Sequence, residues 1–304
     1  MPQLDLIDKQ ILSILLVNCR TPYREIAKSL KMSATSIKDR VDDMVASGVI
    51  IDFIVEFTPA MIGSEIAAIW LTTDNIEDKE QFISDIAASR GVLQITLIYG
   101  GDYLVFAEYT SSLELAALSE TFRSNPHIIS TEMHTLLSQR GMKTSLTNLQ
   151  LRVLKALLKD ARMQIIDIAR ETGLTVRLVR RTLRELRESE AIRFSLRWRL
   201  NVVDRLTSFI KLKWDPKQAT RDEIINMMLI RYQDEFWDIF LSVSDPFLIG
   251  VVVVDNLNRV DTLTAELKSH PAIVYSEAFI YRPAYRYKSI KRLYLEEAIQ
   301  AAGV

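Results

Sequence analysis

Arg177, Arg180, Arg181, Arg184 and Arg187 recur through a stretch whose apolar residues Val176, Val179, Leu183 and Leu186 keep helical spacing, which predicts one helix with an apolar face and a guanidinium face. A guanidinium is a planar fork of donors that binds phosphate, or the O6/N7 edge of guanine, through paired hydrogen bonds. Arg180 and Arg184 lie one turn apart and can address neighbouring groups. Only Glu185 and Glu188 oppose the five arginines. The chemistry indicated is recognition of a polyanion, against the plainer alternative of a solvated helix face. Immediately downstream, Phe194, Leu196, Trp198 and Leu200 alternate with Arg193, Ser195, Arg197 and Arg199. That period of two predicts a strand whose basic side either extends the positive surface or guards an exposed edge.

Other chemistries are poorly supplied. A single cysteine, Cys19, rules out an internal disulfide framework and a cysteine zinc site, and three histidines spread along the chain do not make a metal cluster. His127 and His270 flank Pro126 and Pro271 at turns, His134 lies in a strand, and none has nucleophile and carboxylate partners at a suggestive spacing. The expectation is therefore no enzyme, no cofactor and an inert, partly buried thiol. Gly100, Gly101 and Asp102 are the remaining candidates. Glycines permit a tight backbone whose amides can approach a small carboxylate, and Asp102 could meet an amino group; a plain hairpin turn is the alternative. The first residues, 1–5, resemble no leader and no run of 18 apolar residues exists, so a soluble cytoplasmic protein without a membrane partner is expected.

These residues need scaffolds, and 304 residues predict two or more domains. The net charge of −1 conceals segregation: residues 145–200 carry 13 basic and 6 acidic side chains, whereas residues 61–143 carry 5 and 11. The chain also repeats itself at an offset of 142 residues. Ile11, Leu12 and Leu15 fall on Val153, Leu154 and Leu157; Arg20 falls on Arg162; Glu25, Ile26 and Ala27 on Asp167, Ile168 and Ala169; Ile37, Val41 and Met44 on Val179, Leu183 and Leu186. So long a period marks duplication of a whole module rather than a solenoid.

In each copy the first part reads as three helices, with Ser33 and Thr175 as N-caps of the third. The preceding turn is only Lys31 and Met32, or Gly173 and Leu174, the spacing of a helix-turn-helix that sets its second helix in the DNA major groove. The second part alternates: strands at 66–72 and 209–213, helices at 76–89 and 221–232, strand pairs at 93–98 with 103–108 and at 236–243 with 247–254, helices at 112–123 and 257–269, and last strands at 128–136 and 273–280. That is the β-α-β-β-α-β order of a ferredoxin-like sandwich. The fold class is α+β, with helix-turn-helix domains at 1–58 and 144–201, ferredoxin-like effector and dimerisation domains at 59–143 and 202–282, and a basic, helical extension at 283–304.

Residues Leu4-Asp5-Leu6-Ile7-Asp8-Lys9-Gln10-Ile11-Leu12, Asn18-Cys19-Arg20, Glu25-Ile26-Ala27, Ser33, Arg40-Val41 and Gly48-Val49-Ile50 resemble the helix-turn-helix of the Lrp/AsnC (feast/famine) transcriptional regulators, and the Gly100-Gly101-Asp102-Tyr103 turn resembles that family's effector-sensing domain. The second copy departs from the pattern: Thr147 and Asn148 stand where Asp is expected, Thr182 replaces the Arg40 equivalent, Glu190 replaces Gly48, and the turn reads Ser244-Asp245-Pro246-Phe247. Members of the family dimerise, so the resemblance implies a fused dimer that associates further as a homodimer or higher oligomer, binds double-stranded DNA and responds to an amino-acid effector.

The expected DNA-contacting residues are Ser33, Thr35, Ser36, Lys38 and Arg40 in the first copy, where Asp39, Asp42 and Asp43 oppose phosphate, and Thr175, Arg177, Arg180, Arg181 and Arg184 in the second. The effector residues are Gly100, Gly101 and Asp102. Two other classes share parts of the pattern: a metabolite-sensing or interaction module without DNA binding, and a tetrapyrrole decarboxylase, which would call for histidine-rich pocket motifs. The extension alternates Tyr281, Arg282, Tyr285, Arg286, Tyr287 and Lys288 and then predicts a helix over 290–301, suited to bracing or association.

Overall fold

A computed structural model describes residues 4–74, 76–200, 205–282 and 284–304; the expected domain boundary at 201/202 and residues 1–3 lie outside them. In the first copy α1 (Leu6–Val17), α2 (Tyr23–Leu30) and α3 (Ala34–Ala46) precede the strand β1 (Ile50–Phe57) and the short α4 (Pro59–Ile62). Then come β2 (Glu65–Thr73), α5 (Lys79–Ala87), β3 (Val92–Leu97), β4 (Tyr103–Tyr109), α6 (Ser112–Ser124) and β5 (Ile128–Leu136). The second copy repeats the order with α7 (Asn148–Leu157), α8 (Ile165–Thr172), α9 (Val176–Glu188), β6 (Ile192–Trp198), β7 (Leu206–Trp214), α10 (Arg221–Arg231), β8 (Phe236–Leu241), β9 (Phe247–Val254), α11 (Leu257–Lys268) and β10 (Ile273–Ile280). The extension gives β11 (Tyr285–Arg286) and α12 (Ile290–Ala301). The helix expected from residue 76 begins instead at Lys79, because the Asp78 carboxylate accepts the Gln81 amide and caps it there.

The chain forms two compact units, and neither is one copy. The first comprises residues 1–64, 139–203 and 290–304, and the second residues 65–138 and 204–289. Like parts of the two copies have joined.

In the first unit β1 and β6 pair antiparallel, from Ile50 opposite Trp198 to Phe57 opposite Ile192. At the 142-residue offset the pairing is self-complementary: Asp52 faces Arg197, and their counterparts Phe194 and Val55 face each other, the signature of an isologous interface. A reciprocal clasp repeats this symmetry. Arg20 donates from Nη1 to the carbonyls of Ala161 (2.6 Å) and Met163 (3.1 Å), while Arg162 donates to the carbonyls of Cys19 and Thr21 and lies 4.3 Å over the Tyr23 ring. One continuous core runs from Cys19, Val55 and Phe57 through Leu151, Leu154 and Leu157 to Leu295 and Ile299 of α12. The extension thus braces the two winged helices: Arg292 donates to the carbonyls of Val55 (2.9 Å) and Leu158 (2.7 Å), one from each copy.

In the second unit each sandwich packs its helices on one sheet face, around Ile69, Val105 and Phe122 in the first and Leu212, Val252 and Leu263 in the second. Strand orders are β11-β3-β4-β2-β5 and β10-β7-β9-β8. The other faces meet through aromatics, Trp70 against Phe279 (4.5 Å) and Phe106 against Phe240 (5.0 Å), so apolar area left exposed by each sheet alone is removed from water. Reciprocal bridges at Leu136–Ser242 and Ile98–Tyr281 join the corners. Among the aromatics lies a charged network: Glu132 accepts from Lys211 and from Lys213 (3.2 Å), His134 Nε2 sits 3.0 Å from Glu132 and Nδ1 3.1 Å from Asp245, and the imidazole stacks on Phe247 at 3.9 Å. The hydrogen bond from His134, with the two ammonium groups, holds the Glu132 carboxyl well below the usual carboxylate range.

Candidate nucleic-acid interface

Local rules place α9 and its arginines. Gly173 ends α8 in the left-handed conformation (φ 66°), with its amide donating to the Ala169 carbonyl. Two residues later the Thr175 hydroxyl accepts the Leu178 amide at 3.2 Å and opens α9. Val179, Thr182 and Leu186 point into the core, which obliges Arg177, Arg180, Arg181, Arg184 and Arg187 to face solvent, and all five are exposed. Arg181 pairs with Glu185 at 2.7 Å; Arg177, Arg180, Arg184 and Arg187 carry no ion pair among the described residues. They line an open cleft of about 1020 Å³ whose lining also includes Asn18, Thr21 and Glu25 of the first copy and the apolar Ile165, Leu178 and Phe194.

The corresponding helix of the first copy has a different electrostatic character. Ser33 caps α3 by accepting the Ser36 amide at 3.0 Å, and Thr35 and Lys38 are exposed. Lys38 is bound to Asp42 on the next turn. Arg40 donates from Nη1 to Asp5 (2.9 Å) and Asp8 (2.8 Å), the two carboxylates of the α1 capping box. The hydrogen bond to Asp8 raises the Arg40 pKa, while burial pushes the Asp8 carboxyl up. Arg40, expected to contact DNA, is engaged here within its own copy, where its guanidinium latches α3 to the start of α1. Sequence reasoning missed that role, yet the repeat carries the signal: at the same offset Asp5, Asp8 and Arg40 become Thr147, Gln150 and Thr182, a neutral capping box and a buried hydroxyl. The three substitutions remove the ionic latch and leave a neutral capping box and a buried Thr182 hydroxyl without a hydrogen-bond partner among the described residues.

The basic side of β6 is also engaged. Arg197 forks onto Asp52, Arg199 donates from Nε to the Gly48 carbonyl at 3.1 Å, and Arg193 lies 3.9 Å from Glu56. These groups secure the strand pair rather than extend the α9 surface, a partnership set by register between copies. At the other candidate site Gly100 and Gly101 adopt φ of 110° and 106°, and a side chain at either would meet open space. Asp102 accepts the Trp70 indole N–H at 3.2 Å, and Thr73 donates to the Gly101 carbonyl at 2.7 Å. The three residues stand together at the β3–β4 turn, with the carboxylate already holding one donor. No group of three or more His, Cys, Asp and Glu side chains suited to a metal occurs among the described residues. No helix among them is long and apolar enough to cross a membrane.

Comparison with known proteins matches this geometry. The sequence profile described as winged helix-turn-helix DNA-binding fits residues 4–51 and again 146–193. An uncharacterised HTH-type transcriptional regulator of Pyrococcus horikoshii is 30% identical over 138 residues, 44% of this chain and 92% of that one. The chain belongs to the Lrp/AsnC family of transcriptional regulators. It is a tandem-duplicated member, and the HTH-type transcriptional regulator LysM of Saccharolobus solfataricus is similar at 30% identity over 132 residues, 43% of this chain and 91% of that one. Over its full length this Lrp/AsnC-type chain also shares a fold with the siroheme decarboxylase NirDL, at a TM-score of 0.58 and 12% identity, covering 99% of this chain and 100% of that one. The likeness to NirDL is one of architecture.

Proposed function

We propose that this DNA-binding regulator of Lrp type is sequence-specific, that α9 supplies its principal phosphate and base-edge contacts, and that a small effector such as an amino acid acts through the Gly100–Gly101–Asp102 turn. The observation that carries the reading is the row of exposed, unpaired guanidiniums of Arg177, Arg180 and Arg184 on the helix that occupies the recognition position. Cationic side chains bound to phosphates release counterions, so affinity should fall steeply as salt rises. Ser33, Thr35, Ser36 and Lys38 belong to the weaker half of an asymmetric site, since α3 carries Asp39, Asp42 and Asp43. The effector half of the reading rests on two glycine α-carbons that face open space beside an acidic side chain.

Selection of bound duplexes from random DNA, followed by titration at two salt concentrations, tests specificity. The double variant Arg180→Glu/Arg181→Glu should lose about a hundredfold or more in affinity and flatten the salt dependence by about two phosphate contacts. Unchanged binding would remove α9 from the interface, and no binding by the parent protein would favour a sensing module without DNA recognition. Calorimetric titration with single amino acids tests the effector, and silence across the panel would leave the turn as a hairpin only.

A further inference from the structure

The cleft beside α9 is built by both copies, and its second wall is not a recognition helix. It consists of Asn18, Arg20, Thr21 and Pro22, which link α1 to α2 in the first copy, and Glu25 in the first turn of α2. Arg20 fixes that wall, because its guanidinium is held by the Ala161 and Met163 carbonyls of the other copy while the residue itself borders the cleft. Asn18 and Thr21 contribute short polar side chains. Glu25 is exposed, carries no ion pair among the described residues and is the carboxylate of a lining it shares with Arg177, Arg180, Arg181, Arg184 and Arg187. Meanwhile α3, the helix that should read DNA in this copy, has Lys38 and Arg40 bound to aspartates and leaves Asp39 and Asp43 exposed.

We infer that the first copy also acts on the DNA held by α9 through its α1–α2 segment, beside the weak half-site of α3, and that Glu25 is an affinity-setting residue for duplex DNA: a phosphate strand drawn into the cleft by the α9 arginines meets the carboxylate that lines the same cleft. The inference rests on α9 being the DNA-contacting helix. Physically, two unit charges a few ångströms apart at a solvated surface interact by enough to change an equilibrium several-fold, and the effect decays within a Debye length of about 8 to 10 Å at ordinary salt. A carboxylate in the cleft therefore lowers affinity for any phosphate strand lying there, whereas carboxylates on α3 do so only if the strand runs over α3. Unfavourable charge at this position restrains indiscriminate binding, leaving base-edge contacts a larger share of the discrimination.

The test is fluorescence anisotropy of the full-length chain with a labelled random-sequence duplex at 50 and 200 mM salt. Glu25→Gln should tighten binding about threefold or more at the lower salt, and Glu25→Lys should tighten it further and steepen the salt slope by roughly one phosphate contact. Asp39→Asn and Asp43→Asn, equally exposed, should each change affinity by less than about twofold. Equal or larger effects from the α3 variants, or wild-type affinity in both Glu25 variants, would overturn the inference while leaving the α9 assignment intact. Absence of duplex binding by the parent chain at low salt would overturn the α9 reading and this inference with it.

Discussion

Two side chains show how burial sets reactivity. Cys19 sits fully buried at the meeting point of the two winged helices, and burial pushes its thiol up to about 12 despite Arg162 and Arg20 nearby. The thiolate is the reactive form. A maleimide at neutral pH should therefore leave native protein unmodified and label it fully in denaturant; fast labelling of the native state would mean the clasp opens. Glu132 has the opposite setting. Its carboxyl is held low by His134 and the lysines, so its ion network stabilises the fold in full above the ordinary glutamate pKa and is lost as pH falls below that value toward the depressed folded one. Because Lys211 is nearly buried, Glu132→Gln should cost about 2 kcal/mol at pH 7. Thermal melts should show that gap constant down to about pH 5 and narrowing below about pH 4. A gap that widens in acid would contradict the assignment.

Elements were legible where a local rule decides them. The strands 128–136 and 273–280 and the helix 290–301 stand where residue patterning put them, and the continuous apolar run Phe247–Val254 forms a strand buried along its whole length. What depended on another part of the chain was not legible. The two-residue β11 is too short to show a period and is defined by pairing with Ile95 and Gln94. The partners of the β6 arginines, read as either added positive surface or guards of an edge, were not legible because Asp52 and Gly48 reach them only through the register of β1. The partners of Arg40 were not legible because Asp5 and Asp8 lie 35 and 32 residues earlier in the chain. The role of α12 was legible as bracing, and its strength can be measured: Leu295 is fully buried, so Leu295→Ala should cost about 3 kcal/mol. Chemical denaturation should register the loss, and a change under about 1 kcal/mol would show that the helix contributes little to the core.

For the molecule as a whole, the duplicated halves associate as like with like. The strand pair β1–β6, the Arg20–Arg162 clasp and the sheet-to-sheet aromatics all join one copy to the other. Separate polypeptides covering residues 1–143 and 144–304 should therefore co-purify when made together, with the linking peptide serving to raise the local concentration of partners that already fit. Independent migration of the two fragments would mean the covalent connection, not surface complementarity, holds the halves. Duplication within one chain also frees each copy to change alone. The neutral cap of α7 and the arginines of α9 sit opposite the ionic latch and aspartates of α3, an asymmetry that a homodimer with one sequence could not encode.

The position of α12 has a consequence for biosynthesis. This helix, translated after both sandwiches, packs across β1 and α7 and hydrogen-bonds carbonyls at Val55 and Leu158. A nascent chain thus exposes the apolar surface that α12 covers until this helix has emerged from the ribosome, and the unit carrying both winged helices completes its core only then. Messages broken before the codons for this helix would yield products whose winged-helix unit lacks part of its core and lies open to proteolysis.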